Sequence, residues 1–400
     1  MRVSRLILIS FVLGVILIIG IAAQSLPSAR AEKVGMLSGH LDRISDVIDE
    51  AISNKEFPGA VLVVGRHGKI VLRKAYGQSQ WVPESRTMDV DMIFDVASMT
   101  KPIATATSLM ILVEQGRLNL WDKVIEYIPD FQPFQQGSEG SSENASIWHL
   151  LTHTSGLPPY ADVNKIKTLY GSPCPRASLI DHIGKLPKTD PPGKVFHYSC
   201  LGYITLAYLI EKITGMDIAE FSSEHIFDPL GMKHTFFLPP ETLYDLCVPT
   251  EVIEGKPLIG IVHDPLARLQ GGISGNAGLF SSADDLAVFA QMMLNKGSFQ
   301  GVRILSPLAV AKMTAIYLRA EFSGRGLGWD LDSAYATNQG DLFGENSYGH
   351  TGYTGTSIWI DPDTQTFVIF LTNRVHPNDR GKILSIRSKI ANIVAASIIE

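Results

Sequence analysis

The stretch that decides the reading is Phe94-Asp95-Val96-Ala97-Ser98-Met99-Thr100-Lys101. A strand-like run ends just before Ser98, and a helix starting there brings residues three apart onto one face. The Lys101 ammonium then stacks one turn above the Ser98 hydroxyl. A serine hydroxyl is a poor nucleophile at neutral pH, and an adjacent amine or cation is one physical means of activating it. The spacing therefore points to serine acyl-transfer chemistry. Standing alone, however, it reads more readily as a helix N-cap followed by a surface lysine, because serine is a favoured cap.

Downstream of the pair, Lys101 to Gln115 reads as a helix that stops at Gly116, with Pro102 in the first turn, where a missing N–H costs nothing. Upstream, Leu41, Ile44, Val47, Ile48, Ala51 and Ile52 fall at helical spacing. Ala60 to Val64, a turn at His67-Gly68, and Ile70 to Leu72 read as a β-hairpin. A second hairpin lies near the far end: Thr356 to Ile360, the Asp361-Pro362-Asp363 turn, and Phe367 to Leu371, followed by a helix from Gly381 onward. Strands at both ends, each with a helix beside it, predict an α/β fold: one antiparallel sheet flanked by helices. Residues 41–100 and 331–400 would form that lobe, and 101–330 an inserted, mostly helical lobe.

With 400 residues, 45% apolar and 18% charged, the chain can bury a large core and is neither disordered nor generally membrane-embedded. A net charge of −6, with no basic cluster interleaved with aromatics, argues against a nucleic-acid partner. Arg2 and Arg5 precede an apolar run from Leu6 to Ala23, and Ala29-Arg30-Ala31 follows. Residues 1–31 thus read as a signal peptide cleaved after Ala31, or as an uncleaved membrane anchor of spanning length. Both place the rest of the chain outside the cytoplasm. Cys174, Cys200 and Cys247 allow one disulfide and one leftover thiol, with three possible pairings.

Two further elements follow Ser98-x-x-Lys101 in order. Tyr198-Ser199-Cys200 comes after the Pro191-Pro192-Gly193 turn and before an apolar helix, and His350-Thr351-Gly352 opens the late hairpin. With this set the chain resembles the serine β-lactamase-like and penicillin-binding protein superfamily, and within it the class C branch. The segments His149 to Leu157, Gly275 to Phe280 and Gly326 to Trp329 carry the likeness between those elements. Val262-His263-Asp264-Pro265 with Gly271 to Gly275 is similar to the subgroup of muropeptide amidases and penicillin-binding protein 4B-type proteins.

The resemblance implies an active site between a sandwich domain and a helical domain. It implies Ser98 as the nucleophile that forms an acyl-enzyme, Lys101 as the group that holds the Ser98 hydroxyl and shares its proton, and Tyr198 as general base. The backbone N–H groups of Ser98 and Tyr353 would form the oxyanion hole. Cys200, His350, Thr351, Gly352, His263 and Asp264 would contact the substrate, a small molecule or peptidoglycan fragment. No metal and no cofactor are implied.

Two positions depart from the commonest pattern. Cys200 stands where many relatives have Asn, and a thiol is a weak hydrogen-bonding group. His350 replaces a lysine, so any attraction for a substrate carboxylate would weaken as pH rises through the imidazole range. Both changes lower the expectation of efficient β-lactam hydrolysis and leave ester, amide or muropeptide cleavage. They also motivate an alternative: a penicillin- or peptidoglycan-binding module that keeps the fold without turnover. Among the bland readings, His153 in Thr152-His153-Thr154-Ser155-Gly156 is a structural turn residue, and Asn144-Ala145-Ser146 is an accidental glycosylation match.

Overall fold

Gly59–Arg66 (β1) is buried along its whole length because it forms the middle of a six-stranded sheet. Its neighbours are Lys69–Gln80 (β2) and, from the far end of the chain, Thr366–Thr372 (β6); Arg86–Thr87 (β3), Tyr348–Thr351 (β4) and Ser357–Asp361 (β5) complete it in the order β4-β5-β6-β1-β2-β3. The register of β1 on β6 runs antiparallel from Ala60 opposite Thr372 to Arg66 opposite Thr366. One sheet is thus built from both termini, as the two hairpins predict. The computed structural model describes residues 25–137, 140–317, 324–331 and 337–399, so the apolar run from Leu6 to Ala23 lies outside the described residues.

Alternation along β1 sends Leu62 and Val64 to one face and Val61 and Val63 to the other. The first face packs under Arg43–Ser53 (α1) and Leu384–Ala396 (α5), through Ile44, Ile48 and Ala51 of one and Ile386, Ile390 and Val394 of the other. The second face joins the core of the helical region, which includes Thr107–Glu114 (α2) and Cys200–Thr214 (α3). Ala283–Leu294 (α4), capped by Ser282 through the Asp285 N–H, packs directly on β1, β5 and β6. That helix therefore belongs to the sheet layer, and the helical insertion is shorter than residues 101–330. The nearly continuous apolar sequence of α4 marks it as buried without showing which layer buries it.

Residues 25–36 are folded onto the sheet. The Ala29 N–H donates to Ile70 O, the Ile70 N–H donates to Pro27 O, and Leu26 enters the core. Ala31 is buried, and its carbonyl accepts from the Met36 N–H. The bond after Ala31, the expected cleavage point, lies inside this packed segment, and cutting there would remove Leu26 and the bonds to Ile70. Cys174, Cys200 and Cys247 are all free thiols.

Candidate active site

Asp95 ends a short strand, Ile93–Asp95, paired with Phe280–Ser282. Its buried carboxylate accepts the Ala97 N–H at 2.8 Å and the His263 N–H at 2.7 Å. Ala97 sits at φ +47°, a conformation costly for a residue with a Cβ, and the Asp95 bond holds it there. Ser98 follows in a tight turn, Ala97–Met99, and the chain continues through wide π-helical turns at Lys101–Ala106 into α2. This geometry points Lys101 back at the Ser98 hydroxyl.

Lys101 is fully buried, and its Nζ donates to Ser98 Oγ at 2.9 Å, to the Asn276 carbonyl at 2.9 Å and toward Cys200 Sγ at 3.6 Å. Burial works against its charge. Contacts with Cys200 and Tyr198, including a hydrogen bond to Tyr198, outweigh burial and hold the ammonium above its usual range. Burial raises the Cys200 thiol against the opposing pull of Lys101.

Tyr198 lies against Lys101 from the other side, with Nζ 5.0 Å from the ring centroid. The Arg325 guanidinium lies 5.6 Å from the same ring and pairs with Asp330 at 3.3 Å. His153 packs on Tyr198 with ring centroids 4.4 Å apart, and its Nδ1 accepts the Ser199 N–H at 3.0 Å. Burial and the neighbouring Arg325 and Lys101 cations keep His153 neutral, well below its usual range. It positions the Tyr198-Ser199 backbone, as the structural reading of its turn predicts.

The opposite wall is β4 and the turn after it. Thr351 and Gly352 line the cleft at the strand end. A Cβ on Gly352 would lie 2.2 Å from Thr356 Oγ1 and 2.5 Å from Val96 O, so only glycine admits this close approach. The Thr354 hydroxyl donates to Asp95 O at 2.7 Å and the Thr356 hydroxyl to Val96 O at 3.2 Å. Two segments 259 and 260 residues apart at these bonds are thereby tied together. Among the described residues, neither the Ser98 nor the Tyr353 N–H takes part in the fold's own hydrogen bonds, and both residues border the same cleft. The Tyr353 side chain is 56% exposed at the rim, bonded to Asp379 and covered by Arg374.

The cleft measures about 610 Å³ and is lined by Ser98, Tyr198, His350, Arg325, Arg374 and Arg387, among others. The structure brings Lys101 against both Ser98 Oγ and the Tyr198 ring. Several other expectations change. His350 is 3% exposed and its Nδ1 lies 2.8 Å from the Thr351 carbonyl, which makes that nitrogen the protonated one. Burial, with Arg325 and Lys101 nearby, pushes its pKa well down, so it is neutral at physiological pH and offers a substrate carboxylate no charge. His263 and Asp264 do not line the cleft. His263 is bound to Glu251 at 3.2 Å and stacked on Tyr353, while Asp264 caps the Pro265–Leu269 helix and accepts from the Tyr160 hydroxyl. Cys200 lies beneath Lys101, also off the cleft lining.

Sequence reasoning missed Asp95, Arg325, Arg387 and the Asn276 carbonyl. Arg387 left a trace: it falls on the apolar stripe of α5 with Ile390, Ala391 and Val394, where a charge is out of place.

Fold and site together define a serine hydrolase. The chain belongs to the Beta-lactamase family, whose model matches residues 44–392. It is 32% identical over 375 residues to an N-acetylmuramyl-L-alanine amidase of Bacillus subtilis (strain 168), covering 86% of this chain and 83% of that one. It is 31% identical over 381 residues to a proposed D-alanyl-D-alanine carboxypeptidase of Salmonella agona (strain SL483), covering 88% and 86%. Among solved structures, the hydrolase EstCE1, with promiscuous acyltransferase activity, matches with a TM-score of 0.71 at 21% identity, over 89% of this chain and 99% of that one. An octameric penicillin-binding protein homologue from Pyrococcus abyssi matches at 0.68 and 24% identity, over 88% and 75%. These structures share the fold.

Proposed function

We propose that this serine hydrolase acts outside the cytoplasm on cell-wall-derived peptides, opening an amide or ester bond through an acyl-enzyme on Ser98, in the manner of the class C branch. The observation that carries the reading is the 2.9 Å bond from the buried Lys101 ammonium to Ser98 Oγ, beside Tyr198 and two unused backbone N–H groups. Ser98 Oγ attacks the substrate carbonyl as its proton passes to Tyr198, which enters the step as the phenolate after giving its own proton to solvent, with Lys101 bridging the two oxygens. The carbonyl oxygen becomes an oxyanion held by the Ser98 and Tyr353 N–H groups. Tyr198 returns the proton to the leaving amine or alcohol as the C–N or C–O bond breaks. Water then attacks the ester, its proton accepted by Tyr198, and the acyl–Oγ bond breaks as Tyr198 returns that proton to Ser98 Oγ, freeing the carboxylic acid product.

The neutral His350, which offers a substrate carboxylate no charge, supports amide or ester cleavage over β-lactam hydrolysis. The two relatives named for muramyl-alanine and D-alanyl-D-alanine bonds support a cell-wall substrate. The packed segment 25–36 favours an exported protein that keeps these residues, and N-terminal sequencing of the exported form is expected to find Leu26 still attached. For activity, one purified sample is screened against p-nitrophenyl esters, nitrocefin, D-Ala-D-Ala peptides and muramyl peptides, alongside a fluorophosphonate label. Turnover of a muramyl or D-alanyl peptide, with labelling lost in Ser98→Ala, is the expected result. Binding of those peptides without turnover, equal in wild type and Ser98→Ala, would instead establish a binding module.

A further inference from the structure

Arg387 is a buried cation, 5% exposed, and among the described residues no carboxylate bonds it and its Nε has no partner. Such a charge is expensive to bury. Its contacts are specific: Nη2 donates to Gly352 O at 3.1 Å and to Thr356 O at 2.7 Å, the two ends of the turn that carries Tyr353.

Gly352 C=O and Tyr353 N–H belong to one peptide unit, planar and conjugated. A cation bonded at its oxygen draws electron density toward that end and makes the N–H at the other end a stronger donor. The second oxyanion donor is built in the same way. Ala97 C=O shares a peptide with the Ser98 N–H, and that oxygen accepts the Thr100 hydroxyl at 2.6 Å. Thr100 Oγ1 in turn accepts the Leu279 N–H at 3.1 Å, which orients the hydroxyl hydrogen toward Ala97 O. Each N–H facing the cleft is thus backed by a donor on the far side of its own peptide, a hydroxyl on one and a guanidinium on the other.

We propose that Arg387 is a positioning residue of the oxyanion hole, polarising the Gly352–Tyr353 peptide and fixing the turn so that the Tyr353 N–H stabilises the transition state. The assignment rests on the acyl-enzyme reading above. Its contribution belongs to the transition state, where the oxyanion exists, and so shows in kcat more than in KM.

The test compares wild type with Arg387→Met and Arg387→Lys. Steady-state kinetics on a p-nitrophenyl ester, affinity for a phenylboronic acid that forms a tetrahedral adduct on Ser98, and thermal unfolding are measured for each. Arg387→Met is expected to lower kcat about tenfold, with KM within about twofold and boronate affinity falling in step with kcat. Arg387→Lys, which keeps charge and a donor, is expected to recover most of the loss. A folded Arg387→Met with wild-type kcat, or with a change confined to KM, or with unchanged boronate affinity, overturns the proposal. Should Arg387→Met fail to fold, Arg387→Gln is read by the same criteria, since it keeps an N–H donor and removes the charge. Failure of the acyl-enzyme reading looks different: wild type itself then neither turns over the ester nor takes up the boronate at Ser98.

Discussion

In the proposed mechanism the two walls of the cleft work with different parts of the chain. On the helical side it uses side chains, with Lys101 Nζ bonded to Ser98 Oγ and to Tyr198. On the strand side, the proposed working group is a backbone N–H, and the side chains around it hold the backbone in place. His350 bonds Thr351 O, Thr354 and Thr356 bond Asp95 O and Val96 O, and Arg387 bonds Gly352 O and Thr356 O. Chemistry done by side chains is easy to delete one residue at a time. Chemistry done by backbone yields only to changes that move or repolarise it.

The largest expected effect tests the helical wall. Ser98→Ala should cost on the order of 10⁴-fold or more in kcat, and Lys101→Met roughly 10²–10⁴-fold, both measured by ester turnover in folded protein. Comparable activity in Lys101→Met would remove side-chain activation from that wall.

Next comes the strand wall, where Gly352→Ala deletes nothing. The new Cβ meets Val96 O at 2.5 Å and displaces the turn bearing Tyr353. A kcat loss of roughly 10²-fold is expected, as for losing an oxyanion donor. If Gly352→Ala instead raises KM alone, the wall recognises substrate and does not stabilise the transition state.

Third, because His350 is held neutral, the preference for carboxylate-bearing over neutral substrates should stay constant between about pH 6.5 and 8.5. A ratio of kcat/KM that falls as pH rises through that window would return a cationic role to His350.

The smallest effect concerns stability. His149 is driven down to about 4, chiefly by burial and then by Lys123, and its Nδ1 accepts the Ser146 N–H at the start of a helix. A folded-state value below the unfolded 6.5 means that the unfolded chain takes up the proton first. Stability from this group is therefore intact above about pH 6.5 and is lost as pH falls toward 4, by about 3 kcal/mol in all. Burial raises Asp285 to about 6, which acts in the opposite sense below that pH, so the clean measurement is a difference. His149→Gln keeps an acceptor for the Ser146 N–H and removes the titration. Its Tm relative to wild type should rise steadily between pH 6.5 and 4, and a constant offset would refute the assignment.

The same contrast explains what could be read from the chain. Ser98, Lys101 and Tyr198 were legible because their spacing brings distinctive functional groups to helix starts, and the hairpins at both ends were legible from alternation and turn residues. Asp95, Thr354, Thr356 and Arg387 were not, because they bond carbonyl and N–H groups, which every residue carries and no motif marks. His350 shows a second limit. Its identity suggested a titratable charge, but its protonation is decided by burial and by Arg325 and Lys101, whose proximity exists only in the folded molecule.

The pairing of Ala60 with Thr372 has a consequence for how the enzyme comes into being. The centre of the sheet stays unmatched until the last tenth of the polypeptide arrives, and closing so long a loop is entropically slow. The guanidinium on α5 arrives later still. A ribosomal product stopped before β6 already carries Ser98 and Lys101, yet leaves one whole edge of β1 without its strand partner.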